Sequence, residues 1–428
     1  NHFANQILNL LIIFILFIVF VIEIFTPEFL FLISPGFKDI DGKFDLAVDL
    51  SRITIPFLFF VSISSFLSAI LNSKGKFFIT AAAPIILNIL LILSLVFFNS
   101  THTEIVYASS YALTIAGIIQ VIFLFFFAKK YFKLNFGFII NINKQVKSFF
   151  CKLLPSVFAS GVNQINILIG TIIASFESGA VSYLYYADRI YQLPLALTGI
   201  AIATVILPSL SREVFKSKLT KVNFIQNRSL ELCLFLSLPA TIGIFLAAKQ
   251  IISALYGYGF FDSESVVNTS SALLLFGIGL PAFALIKIYS SFYFARRNTK
   301  FPFYLSLFSV ILNVSISLTL FKNYGFLIIP LATSISAWLT VLVYQFNLIK
   351  SGNHSFDKLF IIRFIKSILC TLFMGLILSF LLNYFSNELE SKSVIKAIIL
   401  ISVVLFSAFI YFLTAYFLKA FRIKDLKV

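Results

Sequence analysis

Long apolar runs separated by short polar ones recur along the whole chain, and their spacing sets its architecture. A membrane crossing needs about 20 mostly apolar residues. Segmentation on that length predicts about twelve helices, at 6–33, 52–72, 78–98, 105–128, 153–175, 181–207, 229–248, 266–294, 302–321, 326–349, 360–385 and 395–418. One run departs from the pattern. Residues 182–194 place Asp188, Arg189, Gln192 and the tyrosines Tyr183, Tyr185, Tyr186 and Tyr191 inside a single predicted membrane helix. An ionised side chain near mid-membrane costs about 3 kcal/mol on insertion scales, so such residues face a bundle interior or a water-filled cavity.

The pattern also repeats. Ser64 to Lys74 and Ser290 to Lys300 align without gaps, sharing two serines, Phe, Ala, Asn and Lys, and each copy ends a predicted helix. A proline precedes each (Pro56, Pro281) and a mid-helix asparagine follows each (Asn88, Asn313). The copies lie six predicted helices apart. An even number makes the repeats parallel, as in two lobes related by an axis along the membrane normal. Three predicted helices precede the second copy's helix within its lobe but only one precedes the first, so two more are expected ahead of Asn1. The expected fold is an all-α polytopic membrane protein: an N-terminal lobe at 1–140, a second six-helix lobe at 141–350, and an extra helix pair with its tail at 351–428. The lysine-rich linker 129–152 marks the lobe boundary.

Composition agrees, with 60% hydrophobic residues, 12% charged and a mean hydropathy of +1.01, whereas soluble domains are about one-quarter charged. Of 33 Lys and Arg, 24 fall in one set of alternate loops, 7 in the other, and Arg189 and Lys287 lie within helices. Basic residues gather on the cytoplasmic side, so both ends of the chain are expected there. The net charge of +16 is thereby explained as topology, and no nucleic-acid partner is expected. Cys151, Cys233 and Cys370 are widely separated, and His2, His102 and His354 assemble no triad or zinc set, so no cofactor is expected. The acids Asp39, Asp41, Asp45 and Asp49, interleaved with Lys38 and Lys43, read as a solvated extracytoplasmic turn rather than as a transferase's paired acids.

On a helix, Ser182, Tyr185, Tyr186, Arg189 and Gln192 recur at three- and four-residue spacings and form one polar stripe. Asp188 and Arg189, being adjacent, point about 100° apart and need not pair. Asp188 reads mainly as a structural tie and Arg189 as a cavity cation. Lys287, near a helix end, reads equally as a cavity cation or as a side chain snorkelling to water.

Several runs, in order, resemble the MurJ (MviN) family of lipid II flippases: Ile70-Leu71-Asn72, Pro155, Gly161 to Asn166, Tyr185 to Arg189, Gln192-Leu193-Pro194, Leu207 to Arg212 and Phe292 to Arg296. The resemblance implies a two-lobed transporter of the MOP superfamily with fourteen helices, of which this chain supplies the third to the fourteenth. It implies an alternating-access flippase, not an enzyme, in the bacterial cytoplasmic (inner) membrane. The cargo would be lipid II, the undecaprenyl-diphosphate-linked disaccharide pentapeptide of peptidoglycan biosynthesis, and the partners lipid II and the bilayer.

A planar guanidinium matches phosphate oxygens. On this reading Arg189 holds the diphosphate, with Asp188, Gln192, Tyr185, Tyr186 and Lys287, and Gln164 and Asn163 on the preceding helix, around the head group. Family members resembling sodium-coupled transporters carry carboxylates where this chain has Gly170 and Ser317, which leaves Asn313 and Thr333. Hard cations favour charged oxygens, so no metal site is expected beyond that weak pair. Rival readings are a flippase for another polyprenyl-linked glycan of O-antigen type and a MATE-like cation or drug antiporter, for which Asp188 is almost the only mid-membrane carboxylate.

Overall fold

In a bilayer only helices and closed barrels satisfy their own backbone, and these leucine-, isoleucine- and phenylalanine-rich runs take the first course. The computed structural model describes residues 2–98, 101–133, 144–390 and 395–421, and it is helical with no strand among them. The chain divides into two compact units, Asn1–Gly161 and Val162–Val428.

The first unit holds α1 (His2–Ile24), the short α2 (Thr26–Ile33), a 3-10 turn (Pro35–Asp39), α3 (Lys43–Thr54), α4 (Phe57–Ser73), α5 (Phe77–Phe97) and α6 (His102–Ala128). Helix α6 packs against α3, α4 and α5, and α1 lies on α4. Leu67, Leu71, Ala83, Leu124 and Ala128 form the core. Two boundaries differ from the hydropathy reading. The first predicted helix is split, because Pro27 in the first turn of α2 starts a new helix. The acidic segment expected as a solvated turn is largely helical: Asp45 and Asp49 lie on α3, and the Tyr107 hydroxyl donates to Asp49 at 3.4 Å.

The unit boundary falls inside α7 (Lys144–Ala174). The second unit continues with α8 (Ala180–Leu195), a π-turn (Ala196–Ile200), α9 (Ala201–Phe215), α10 (Leu219–Tyr256), α11 (Ser263–Ala295), α12 (Lys300–Tyr324), α13 (Ile328–Lys350), α14 (Lys358–Tyr384), α15 (Ser386–Glu390) and α16 (Ile395–Phe417). Helix α11 is its centre, packed by α8, α9, α10 and α13, while α14 and α16 lie on α10. The most apolar window of α11 is 61% buried against 11% for α1, so the core of this unit gathers around α11 while α1 has few fully buried residues. Ten stretches among the described residues are long and apolar enough to cross a membrane. One of them, Lys300–Lys350, holds both α12 and α13, and α7 ends in the apolar stretch Gln164–Ala174.

Five helix ends beside basic clusters finish alike. A residue with positive φ (Gly75, Ser217, Arg297, Gly352, Lys419) follows the helix, and the next amide reaches back five residues. Examples are Lys218 N to Glu213 O at 3.2 Å and Asn353 N to Leu348 O at 2.9 Å. This ending satisfies carbonyls that the helix leaves open. The two repeat copies both use their asparagine to tie the helix end to the next helix. Asn72 Oδ1 accepts from Thr80 at 2.8 Å and Asn298 Oδ1 from the Phe301 amide at 3.2 Å.

Candidate functional site

Helix α8 starts at Gly179, whose φ of +77° suits glycine. Ala187 is fully buried, whereas Ser182, Tyr185, Arg189 and Gln192 are exposed along one face. Pro194 lacks an amide hydrogen and crowds the preceding turn. The helix continues through it but widens directly afterwards into the π-turn Ala196–Ile200, a deviation common at functional sites. Gly199, inside that turn, meets α11 so closely that a Cβ there would sit 2.9 Å from Ala284 Cα.

Arg189 Nη2 donates to the Tyr185 hydroxyl at 3.1 Å, and its guanidinium lies 4.7 Å above the Tyr185 ring. No ion pair joins Arg189 to a carboxylate among the described residues. Asp188 instead accepts from Gln192 and Tyr191. Tyr191 stacks on Phe276 of α11 at 4.8 Å, so Asp188 belongs to the α11 side of the helix and Arg189 to the open side. Tyr186 leaves the exposed stripe and packs on Tyr256 at 4.7 Å and on Phe261 at 5.5 Å. Tyr256, at the end of α10, is within electrostatic reach of Tyr185, Tyr186 and Arg189.

The other expected residues are not gathered here. Gln164 is exposed on α7 without a polar contact to Arg189 among the described residues, and the side chain of Asn163 lies outside those described. Lys287 is half-buried on α11. It lies eleven residues beyond Phe276, roughly 16 Å along the axis at the helical rise. Asn313 donates to Thr333 Oγ1 at 3.0 Å and accepts from Ser317 at 3.1 Å. Their polar atoms thus serve one another, and no cluster of three or more His, Cys, Asp or Glu occurs among the described residues.

A second polar group escaped the sequence reading, which counted its cations as loop residues. Arg228 pairs with Glu231 and with Asp357 at 2.5 Å, and Arg363 lies 3.3 Å from Glu231. Arg228, Glu231 and Arg363 are at most 5% exposed. Asn223 and Asn227 hold Ser355 at 2.8–2.9 Å. These contacts explain why α10 begins ten residues before the apolar run: polar side chains prolong it by pairing with the 353–357 segment. At the other end of α10, Lys396, also counted as a loop cation, is 3% exposed and donates to Ser253 Oγ and Gly257 O at 3.2 and 3.1 Å.

His354, in the α13–α14 connection, accepts at Nδ1 from Gln345 Nε2 at 3.1 Å, because Gln345 Oε1 already accepts from Tyr289 at 2.6 Å. Burial, assisted by the nearby Arg296 charge, pushes its pKa down to about 4. Asp262, capping α11, is held below the usual carboxylate range by the Ser265 amide.

A multi-pass helical protein with two units and an unpaired cation on a widened helix is a membrane transporter in form, and its fold is that of the MOP superfamily. An inward-facing multidrug resistance MATE family transporter of that superfamily superposes with a TM-score of 0.66 over 80% of each chain at 15% identity, a likeness of fold alone. The chain belongs to the lipid II flippase MurJ family, whose sequence model matches residues 1–419. It is 37% identical over 399 residues to a probable lipid II flippase MurJ of Rickettsia prowazekii (strain Madrid E), covering 92% of this chain and 77% of that one. A homologue of the same description in Rhizobium tropici is 34% identical over 356 residues, 82% of this chain and 67% of its own. A solved structure of lipid II flippase MurJ in an inward closed conformation matches with a TM-score of 0.77 at 26% identity, over 96% of this chain and 84% of that chain.

Proposed function

We propose that this chain carries lipid II across the bacterial cytoplasmic membrane, with both of its ends in the cytoplasm. Family membership supports the substrate. The single structural observation that supports the site is Arg189: a guanidinium on the open face of a membrane helix, held by a tyrosine and paired with no acid among the described residues. A diphosphate leaving water needs a compensating cation, and arginine supplies one with the right geometry. Tyr185, Tyr186 and Gln192 line the same helix, and Asp188 braces it. The protein forms and breaks no bond of its cargo. Lobes 1–140 and 141–350 rock around the site, while the tail stays in the bilayer beside the helix pair at 351–428.

The test uses bacteria whose own flippase can be shut off, with outer-leaflet lipid II as the readout. The parent chain is expected to restore it, and Arg189→Ala, inserted at the same level, is not. A well-inserted parent that restores nothing would move the assignment to another polyprenyl-linked glycan. Equal activity of both would remove Arg189 from the site.

A further inference from the structure

Helix α8 bears more tyrosine than a diphosphate site requires. Tyr185 is 55% exposed, and its hydroxyl takes the Arg189 hydrogen bond while keeping its own proton to donate. Tyr186 and Tyr256 are half-buried, their rings 4.7 Å apart, and Phe261 closes the group at 5.5 Å from Tyr186. Neither the Tyr186 nor the Tyr256 hydroxyl has a protein partner among the described residues, and neither is sealed from its surroundings. A buried phenol usually finds a partner, and an unmade hydrogen bond is costlier in a bilayer than in water. The arrangement therefore joins aromatic faces, spare hydroxyl donors and one guanidinium, with no paired acid.

We infer that Tyr256 and Tyr186, with Tyr185 and Phe261, form a sugar subsite beside Arg189 that takes the pyranose nearest the diphosphate. A pyranose has an apolar C–H face and a rim of hydroxyls, which match an aromatic ring and a phenol hydroxyl respectively. Apolar walls with a few placed polar groups are the usual composition of a small-ligand site. The subsite lies where α10 ends and α8 begins, away from the basic end of α9 at Arg212. In the proposed orientation this is the outward side. The sugar would dock there as the head group leaves the cytoplasmic half.

This inference rests on the head-group reading of Arg189, and two lipids separate the claims. Undecaprenyl diphosphate carries the same tail and a diphosphate, with a free terminal phosphate and neither sugar nor peptide, so the variants' effects on each lipid, relative to the parent, are what is compared. Equilibrium binding of each is measured on the purified full chain, with thermal stability followed in parallel. Tyr256→Phe is expected to weaken lipid II binding about threefold, the worth of one ordinary hydrogen bond. Tyr256→Leu, which also removes the ring, should weaken it about tenfold. Neither should move undecaprenyl diphosphate binding by as much as twofold. Arg189→Ala should weaken both lipids. Parallel weakening of both lipids by the tyrosine variants, or no effect on either, would overturn the sugar subsite. So would a parent that binds the two lipids equally, which leaves the head-group reading standing. A parent that binds neither lipid defeats that reading, and this inference with it.

Discussion

Basic side chains in this protein meet different surroundings, and those surroundings determine what each can do. Arg189 keeps an open face with Tyr185 beside it, while Arg228 and Arg363 are sunk against Glu231 and Asp357. Hydropathy marks all three as breaks in an apolar pattern, and only the first break was legible as a candidate site, because it falls at the centre of a run rather than at its edge. His354 has the third fate, being buried, neutral and fixed in one tautomer by Gln345. Its folded pKa of about 4 lies below the ordinary histidine value, so above pH 6.5 it has no effect on stability. As pH falls from about 6.5 to about 4 the unfolded chain takes up a proton that the folded chain refuses, and stability declines by up to about 3 kcal/mol before levelling off. Denaturation midpoints at pH 7 and pH 4.5 should differ more for the parent than for His354→Asn. An equal pH dependence would exclude His354 as the cause.

Elements end where backbone bonding allows, which local pattern reads only in part. Pro194 signals a disturbed helix, and the π-turn that follows is that disturbance, but its seat against Ala284 depends on α11. Gly199→Ala would put a methyl group against backbone, which cannot swing aside, and should cost about 1–3 kcal/mol. The melting temperature of the purified variant tests this, and an unchanged value would mean the two helices separate freely. Ser217 shows the reverse case. It holds φ +55° at the end of α9, exposed and without a side-chain bond among the described residues, a conformation that costs a non-glycine residue about 1 kcal/mol. Ser217→Gly should therefore raise the melting temperature, and a fall would show that chain entropy outweighs the strain.

Across the molecule, α10 is fastened to the C-terminal helix pair at both ends, by Arg228 and Glu231 to Asp357 and Arg363, and by Ser253 and Gly257 to Lys396. Between these ties Gly375 admits Ile242, whose Cγ2 would lie 2.9 Å from a Cβ at that position. In a rocking transporter these helices should travel as one body. A disulfide formed between Ile242→Cys and Gly375→Cys is expected to leave lipid II transport at the parent rate. Transport that stops on oxidation and recovers on reduction would show that the pair moves against α10.

The sequence alone determined that this is a multi-pass helical membrane protein and that its polar stripe lies on α8, because burial in lipid imposes a length and a period that a chain cannot hide; the family resemblance came from its motifs. Tertiary structure alone decided which polar residues meet. Tyr256 joins Tyr186 from a distant helix, and Arg228 reaches Asp357 across two helical hairpins. Charge in a sequence reads as exposure to water, whereas in the fold a charge can be buried once partners far along the chain pair with it or hydrogen-bond to it. That is why Arg189 stood out from the pattern and the ties of Arg363 and Lys396 did not.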